Sequence, residues 1–197
     1  QFYLLFPPLL LVLIRFVPKR INLVLLGLAV LSLAGAQAIV TRVPETAFYL
    51  VHLRAWELLA GALLATGVVR PHNRQWIREG AALLGLGMIV SSVFALDKQE
   101  AFPGISALPA VLGAALVIHA GVGGNTVVGR LLGFRVLVFF GLISYSLYLW
   151  HWPLFVFAGY YQIEPLSGTE KAVLFILACL LGWLSWRFVE SPFRKAL

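Results

Sequence analysis

The charged residues of this 197-residue chain fall into seven short clusters, and the clusters cut the sequence into apolar stretches of roughly membrane-spanning length. A helix that crosses the ~30 Å hydrocarbon core of a bilayer needs about 20 apolar residues at a rise of 1.5 Å each. Seven stretches answer this description: 1–14, 21–41, 53–69, 80–96, 104–121, 144–161 and 170–188. They lack period-2 alternation and are rich in Leu, Ala, Gly and Val, which favours helices over barrel strands of about 9–11 residues. The fold class expected is therefore all-α, a polytopic membrane helix bundle forming one domain over 1–197 with no soluble domain. Composition agrees: 61% of residues are hydrophobic and 12% charged, against about 25% charged in a soluble domain. Mean hydropathy is +0.93 and is spread along the whole chain, which excludes a secreted domain behind one signal peptide. A single cysteine excludes an internal disulfide and a cysteine-based metal site.

The net charge of +7 reads as topology once its placement is followed. Arg15, Lys19 and Arg20, then Arg70, Arg74 and Arg78, then Arg130 and Arg135, and finally Arg187, Arg194 and Lys195 occupy alternate loops. The loops between them hold only Arg42, Arg54, Lys98 and Lys171. Cytoplasmic loops collect Lys and Arg, so residue 1 is expected outside and the C-terminus in the cytoplasm. The basic side meets anionic lipid head groups, and no nucleic-acid partner is expected. The chain opens on Gln1 inside an apolar run, which suggests a piece of a longer protein. Between the fifth and sixth spans, Gly123, Gly124 and Asn125 read as a turn and 127–142 as a short amphipathic helix along the cytoplasmic interface. That helix start could receive a phosphate or act only as an anchor.

An ionisable group inside a membrane helix costs at least about 2.5–3.5 kcal/mol and is a functional candidate by default. Arg54 and Glu57 share a helix face at i, i+3, where they can pair with each other; Gly61, one turn on, marks a close helix crossing. In Ser144-Tyr145-Ser146-Leu147-Tyr148-Leu149-Trp150-His151-Trp152-Pro153, the residues Ser144, Tyr148 and His151 fall on one face. Ser144 and His151 stand roughly 10 Å apart along the axis, too far for direct proton transfer, which leaves Tyr148 as the nearer partner of the imidazole. Pro153 should kink the helix just beyond it. An interhelical hydrogen bond by His151 and a working role both remain open. His119 reads as structural, and Arg187, Glu190 and Arg194 read as a helix end anchored at the cytoplasmic interface.

Four blocks in order resemble the membrane-bound acyltransferase 3 family, which O-acylates extracytoplasmic sugars in bacteria. Gln1-Phe2-Tyr3-Leu4-Leu5-Phe6-Pro7 resembles the end of the family's Ser-Leu-x-x-Glu-Glu-Gln-Phe-Tyr motif. Arg54-x-x-Glu57-x-x-x-Gly61, Ile143 through His151-x-Pro153, and Arg187-Phe188-x-Glu190-x-Pro192-x-Arg194 resemble three later blocks. The Arg-Ala-Trp-Glu form and the C-terminal ending look most like the branch that carries an extracytoplasmic SGNH-type domain. The resemblance implies a ten-helix domain in the bacterial cytoplasmic membrane with both ends cytoplasmic, so that three helices precede this chain. It implies acyl transfer, acetyl above all, from cytoplasmic acyl-CoA as donor substrate to a hydroxyl of a cell-surface glycan or its lipid-linked precursor, with no bound cofactor and no metal. His151, Tyr148 and Ser144 would then line the path of the acyl group, donating to its carbonyl or relaying protons, and Arg54, Glu57 and Tyr3 would orient the acceptor near the outer mouth. The family's expected catalytic His and acidic residues fall upstream of Gln1, which implies that this chain is inactive alone. A transporter or flippase of a lipid-linked sugar shares the composition and the buried polar residues; a non-catalytic scaffold is the third class.

Overall fold

The computed structural model describes residues 2–40, 42–43, 50–67, 69–70, 72–95, 104–161 and 166–196. The described residues form helices and no strand, as the absence of alternation predicts. They fall into two compact units, Gln1–Leu131 and Leu132–Leu197.

In the first unit, α1 (Phe2–Phe16) carries Pro7 and Pro8 within it, and a 3-10 turn at Pro18–Arg20 leads into α2 (Ile21–Val40). Helix α3 (Val51–Ala65) returns along α2. Leu13, Leu25 and Leu59, one from each helix, form a buried cluster, and Ala36 and Val40 of α2 bury Leu53 of α3. Helices α4 (Gln75–Ala95) and α5 (Leu108–Val122) make a second hairpin. There the backbones touch: a Cβ on Gly85 would lie 2.6 Å from the Gly113 carbonyl oxygen, and a Cβ on Gly113 would lie 2.6 Å from the Gly85 carbonyl oxygen. Small residues permit this approach, which in a membrane stands in for the missing hydrophobic drive between helices. The short α6 (Val127–Leu132) closes the unit. Thr126 caps it by accepting from the Gly129 N–H at 3.0 Å, and Glu79 of α4 accepts from the Val127 N–H at 2.9 Å.

The second unit is built on α7 (Arg135–Tyr161) and α8 (Gly168–Ser185), which pack against each other. Ser167 and Glu170 form a capping box at the start of α8. Gly182 allows α8 to approach the α7 backbone, since its Cβ would lie 3.1 Å from Leu147 Cα. A π-helical turn, Trp186–Glu190, and α9 (Ser191–Ala196) continue the run.

Five of the seven expected spans, Pro18–Val40, Gln75–Ala95, Ile105–Val122, Arg135–Tyr160 and Gly168–Arg194, are helical runs long and apolar enough to cross a membrane, as befits a multi-pass membrane protein. The first and third form 15-residue helices, about 22 Å long, which is short of the ~30 Å core. Helix α3 stops early because Gly67, at φ 69°, takes the left-handed conformation that closes helices.

The structure corrects the expectation of one amphipathic helix over 127–142. Six residues form α6, Gly133 and Phe134 break the helix, and one 27-residue helix runs on from Arg135. Between Arg135 and Ser144 no polar side chain occurs, so this stretch has no polar face to lay along an interface and joins the apolar span instead. Pro153 also sits inside α7 without interrupting it; its ring nitrogen offers no proton to the Leu149 carbonyl.

Candidate functional site

In the first unit, α3 brings Arg54 and Glu57 together as the i, i+3 spacing requires. Arg54 Nη2 donates to Glu57 Oε2 at 3.1 Å and Nε to Oε1 at 3.4 Å, a two-pronged pairing that fixes both groups. The side chains are 37% and 20% exposed. Beside it Ser32 of α2 reaches into the α3 ladder. Its hydroxyl donates to the His52 carbonyl at 2.6 Å and accepts from the Trp56 N–H at 3.1 Å. These two backbone groups are an i, i+4 pair, so one side chain bridges a helical hydrogen bond of the neighbouring helix. Ser32 and His52 line an open pocket of about 600 Å³ between α1, α2 and α3, whose walls are mainly leucines. Tyr3 falls in the first turn of α1, and its side chain lies outside the described residues. Gly61 does not mark a helix crossing among the described residues: a Cβ there meets nothing within 4 Å, whereas Gly85, Gly113 and Gly182 approach the backbone of a neighbouring helix and Gly35 approaches the Leu53 side chain.

In the second unit, α7 places Tyr148 and His151 side by side, with ring centroids 5.6 Å apart and planes at 48°. His151 Nδ1 lies 3.2 Å from the Leu147 carbonyl oxygen. A carbonyl only accepts, so this contact puts the proton on Nδ1 and leaves Nε2 of the neutral ring as an acceptor. Tyr148 is 68% exposed. Ser144 shares the face but turns its hydroxyl back to the Gly141 carbonyl at 2.8 Å, so the structure brings Tyr148 and His151 together and leaves Ser144 bonded within its own helix.

Two hydroxyls with no assigned role in the sequence are singled out by the structure, Ser32 and Ser146. Ser146 is 2% exposed and donates to Glu190 Oε2 at 3.1 Å, while Arg194 Nη1 pairs with Glu190 Oε1 at 3.4 Å. Glu190 therefore holds α7 as well as its own helix end. For Ser32 the signal is a single hydroxyl in an apolar helical run, which must find an acceptor; Ser146 is one of four hydroxyls in its motif, and the sequence does not say which of them crosses to another helix.

Comparison with known proteins adds the family. A family model described as an acyltransferase domain matches residues 1–187. Over 99% of its length the chain is 28% identical to the peptidoglycan O-acetyltransferase OatA of Listeria monocytogenes, covering 33% of that protein. It is 27% identical, again over 99% of the chain, to the O-acetyltransferase OatA of Staphylococcus aureus, covering 34% of it. The chain thus spans about a third of the length of these relatives. No solved structure matches it. With nearly all of its residues inside the model and the four sequence blocks in order, this chain belongs to the acyltransferase 3 family.

Proposed function

We propose that this chain is part of a membrane O-acyltransferase that moves an acetyl group from acyl-CoA to a hydroxyl of a cell-wall glycan, with peptidoglycan as the acceptor. The family match over residues 1–187 carries this reading, and relatives named for peptidoglycan O-acetylation support the acceptor. The loop charges support an orientation in the bacterial cytoplasmic membrane with residue 1 outside and the C-terminus in the cytoplasm. The basic face then meets the anionic donor, and Arg54 and Glu57 stand near the outer surface where the acceptor arrives.

Acyl transfer to a hydroxyl requires a group that takes the hydroxyl proton and a donor for the carbonyl oxygen as it gains charge. Tyr148 and His151 offer both within one turn of α7: a phenol that donates, and an Nε2 that accepts because Nδ1 is held by Leu147. Ser144 extends this polar face along the helix. The Arg54–Glu57 pair presents a fixed fork for sugar hydroxyls.

The test is O-acetyl content of the glycan, measured by mass spectrometry in cells carrying the full-length protein or its Tyr148→Phe, His151→Ala or Arg54→Ala variant at equal membrane abundance. General acid–base help contributes about 100-fold or more, so His151→Ala should lower the ester to about 1% of the wild-type level or less. Equal acetylation in all four strains would refute the site. A wild type that exports glycan without adding ester would instead favour a flippase.

A further inference from the structure

Helix α7 has two polar faces. At 3.6 residues per turn, Ser144, Tyr148 and His151 lie about 140–200° around the helix from Ser146. The first face carries the exposed phenol of Tyr148 and the imidazole of His151; the second is closed by Glu190. Glu190 reaches Ser146 from the π-helical turn Trp186–Glu190. Such a turn adds a residue to the helical repeat and re-aims the side chains that follow, and it recurs at functional sites. Both carboxylate oxygens are engaged, Oε2 by the Ser146 hydroxyl and Oε1 by Arg194. Gly182 sets Leu147, next to Ser146, directly against α8. The same Leu147 supplies the carbonyl that holds His151 Nδ1, so the packing that locks one face of α7 also bears the acceptor that orients the imidazole on the other.

We infer that Glu190 is a positioning residue, which fixes the rotation of α7 through Ser146 and so sets where Tyr148 and His151 point. The inference rests on the role given to His151 above. The Ser146–Glu190 bond is charge-assisted and buried on the serine side; Ser144 and His151 bond to backbone carbonyls of α7 itself, so among the described residues no second polar contact of these side chains with a neighbouring helix substitutes for it. A misplacement of about 1 Å at a reacting group costs up to 100-fold in rate.

Two arms of one experiment on the full-length protein in membranes separate this inference from the reading beneath it. In the first, with native cysteines replaced by serine, a cysteine at position 144 (Ser144→Cys) is labelled with a maleimide in the presence of Glu190, Glu190→Gln or Glu190→Ala. The expected result is a severalfold change in labelling rate for Glu190→Ala. A rate near that of the parent is expected for Glu190→Gln, whose amide oxygen still accepts from Ser146. Equal rates in all three overturn the inference, as does a Gln variant that behaves like Ala. In the second arm acetyl transfer is measured for Glu190→Ala, His151→Ala and the double variant. Glu190→Ala should lower kcat about 10- to 100-fold with KM unchanged, and in the double variant the two losses should be less than multiplicative, because one of the two groups that Glu190 positions is already gone. Losses that multiply overturn the inference. Wild-type transfer by His151→Ala removes the role given to His151, and the labelling arm then still decides whether Glu190 sets the rotation of α7.

Discussion

Gly85→Ala is the most informative single change in the first unit, because the structure sets both its sign and its size. The added methyl would lie 2.6 Å from the Gly113 carbonyl oxygen and 3.0 Å from Leu116 Cβ and Val117 Cγ2. An ordinary carbon–oxygen contact is about 3.3–3.6 Å, so α4 and α5 must separate by roughly 0.7–1.0 Å. The obstacle is backbone, which no rotamer change can move aside. A gap of this size forfeits about a quarter to a half of each dispersion contact along the crossing, and overpacking of a close-packed site costs about 1–3 kcal/mol. Against this stands the better helix propensity of alanine, about 0.8–1.0 kcal/mol. The net expectation is destabilisation by up to about 2 kcal/mol, and by about 1–3 kcal/mol relative to an alanine that gains the same propensity without the contact. Gly87→Ala, two residues along the same helix with nothing within 4 Å of its Cβ, keeps only the propensity gain and serves as the control. Because Gly113→Ala meets the Gly85 carbonyl oxygen at 2.6 Å, either substitution alone opens the crossing, and the double variant should cost less than the sum of the two. Unfolding of the full-length protein by SDS titration, followed by circular dichroism, measures all four. Gly85→Ala as stable as Gly87→Ala, or strict additivity of the pair, would refute the backbone contact.

Two further outcomes follow from the polar contacts of the same unit. Ser32→Ala should cost less than about 1 kcal/mol in the same titration, although the hydroxyl is buried, because the His52 carbonyl and Trp56 N–H that it bridges can close on each other; a loss of several kcal/mol would show that they cannot. Gly124→Ala should cost about 1–3 kcal/mol for its backbone alone, since Gly124 stands at φ +136° and its Cβ would lie 2.6 Å from Arg78 Nη1. A Gly124→Ala protein with unchanged unfolding would remove the argument from strain.

The α-helical membrane class, five full-length spans and the Arg54–Glu57 pair were legible in the sequence, because each depends on local quantities. Apolar run length decides whether a helix can span, and i, i+3 spacing decides whether two charges on one helix can meet. The placing of Tyr148 beside His151 followed from the same helical repeat. Where the local signal is weak the structure differs from the expectation. Apolar residues on all sides of 136–143 carry no periodicity that separates an interfacial helix from the start of a span, so the break fell at Gly133 and Phe134 instead of just before Ser144.

Contacts between helices were not legible, since they depend on register and rotation that no single segment encodes. Gly61 and Gly85 look alike in sequence, each a glycine in an apolar helix, yet only Gly85 meets another backbone. Ser144 and Ser146 stand two residues apart in one motif; the first satisfies itself on its own helix, and the second crosses to Glu190. What the sequence determined by itself is which segments must leave water and which polar groups they carry with them, because transfer free energies add residue by residue. Which of those groups meet was decided only by tertiary structure, because a hydroxyl or a glycine acquires its role from whatever the neighbouring helix presents at that level.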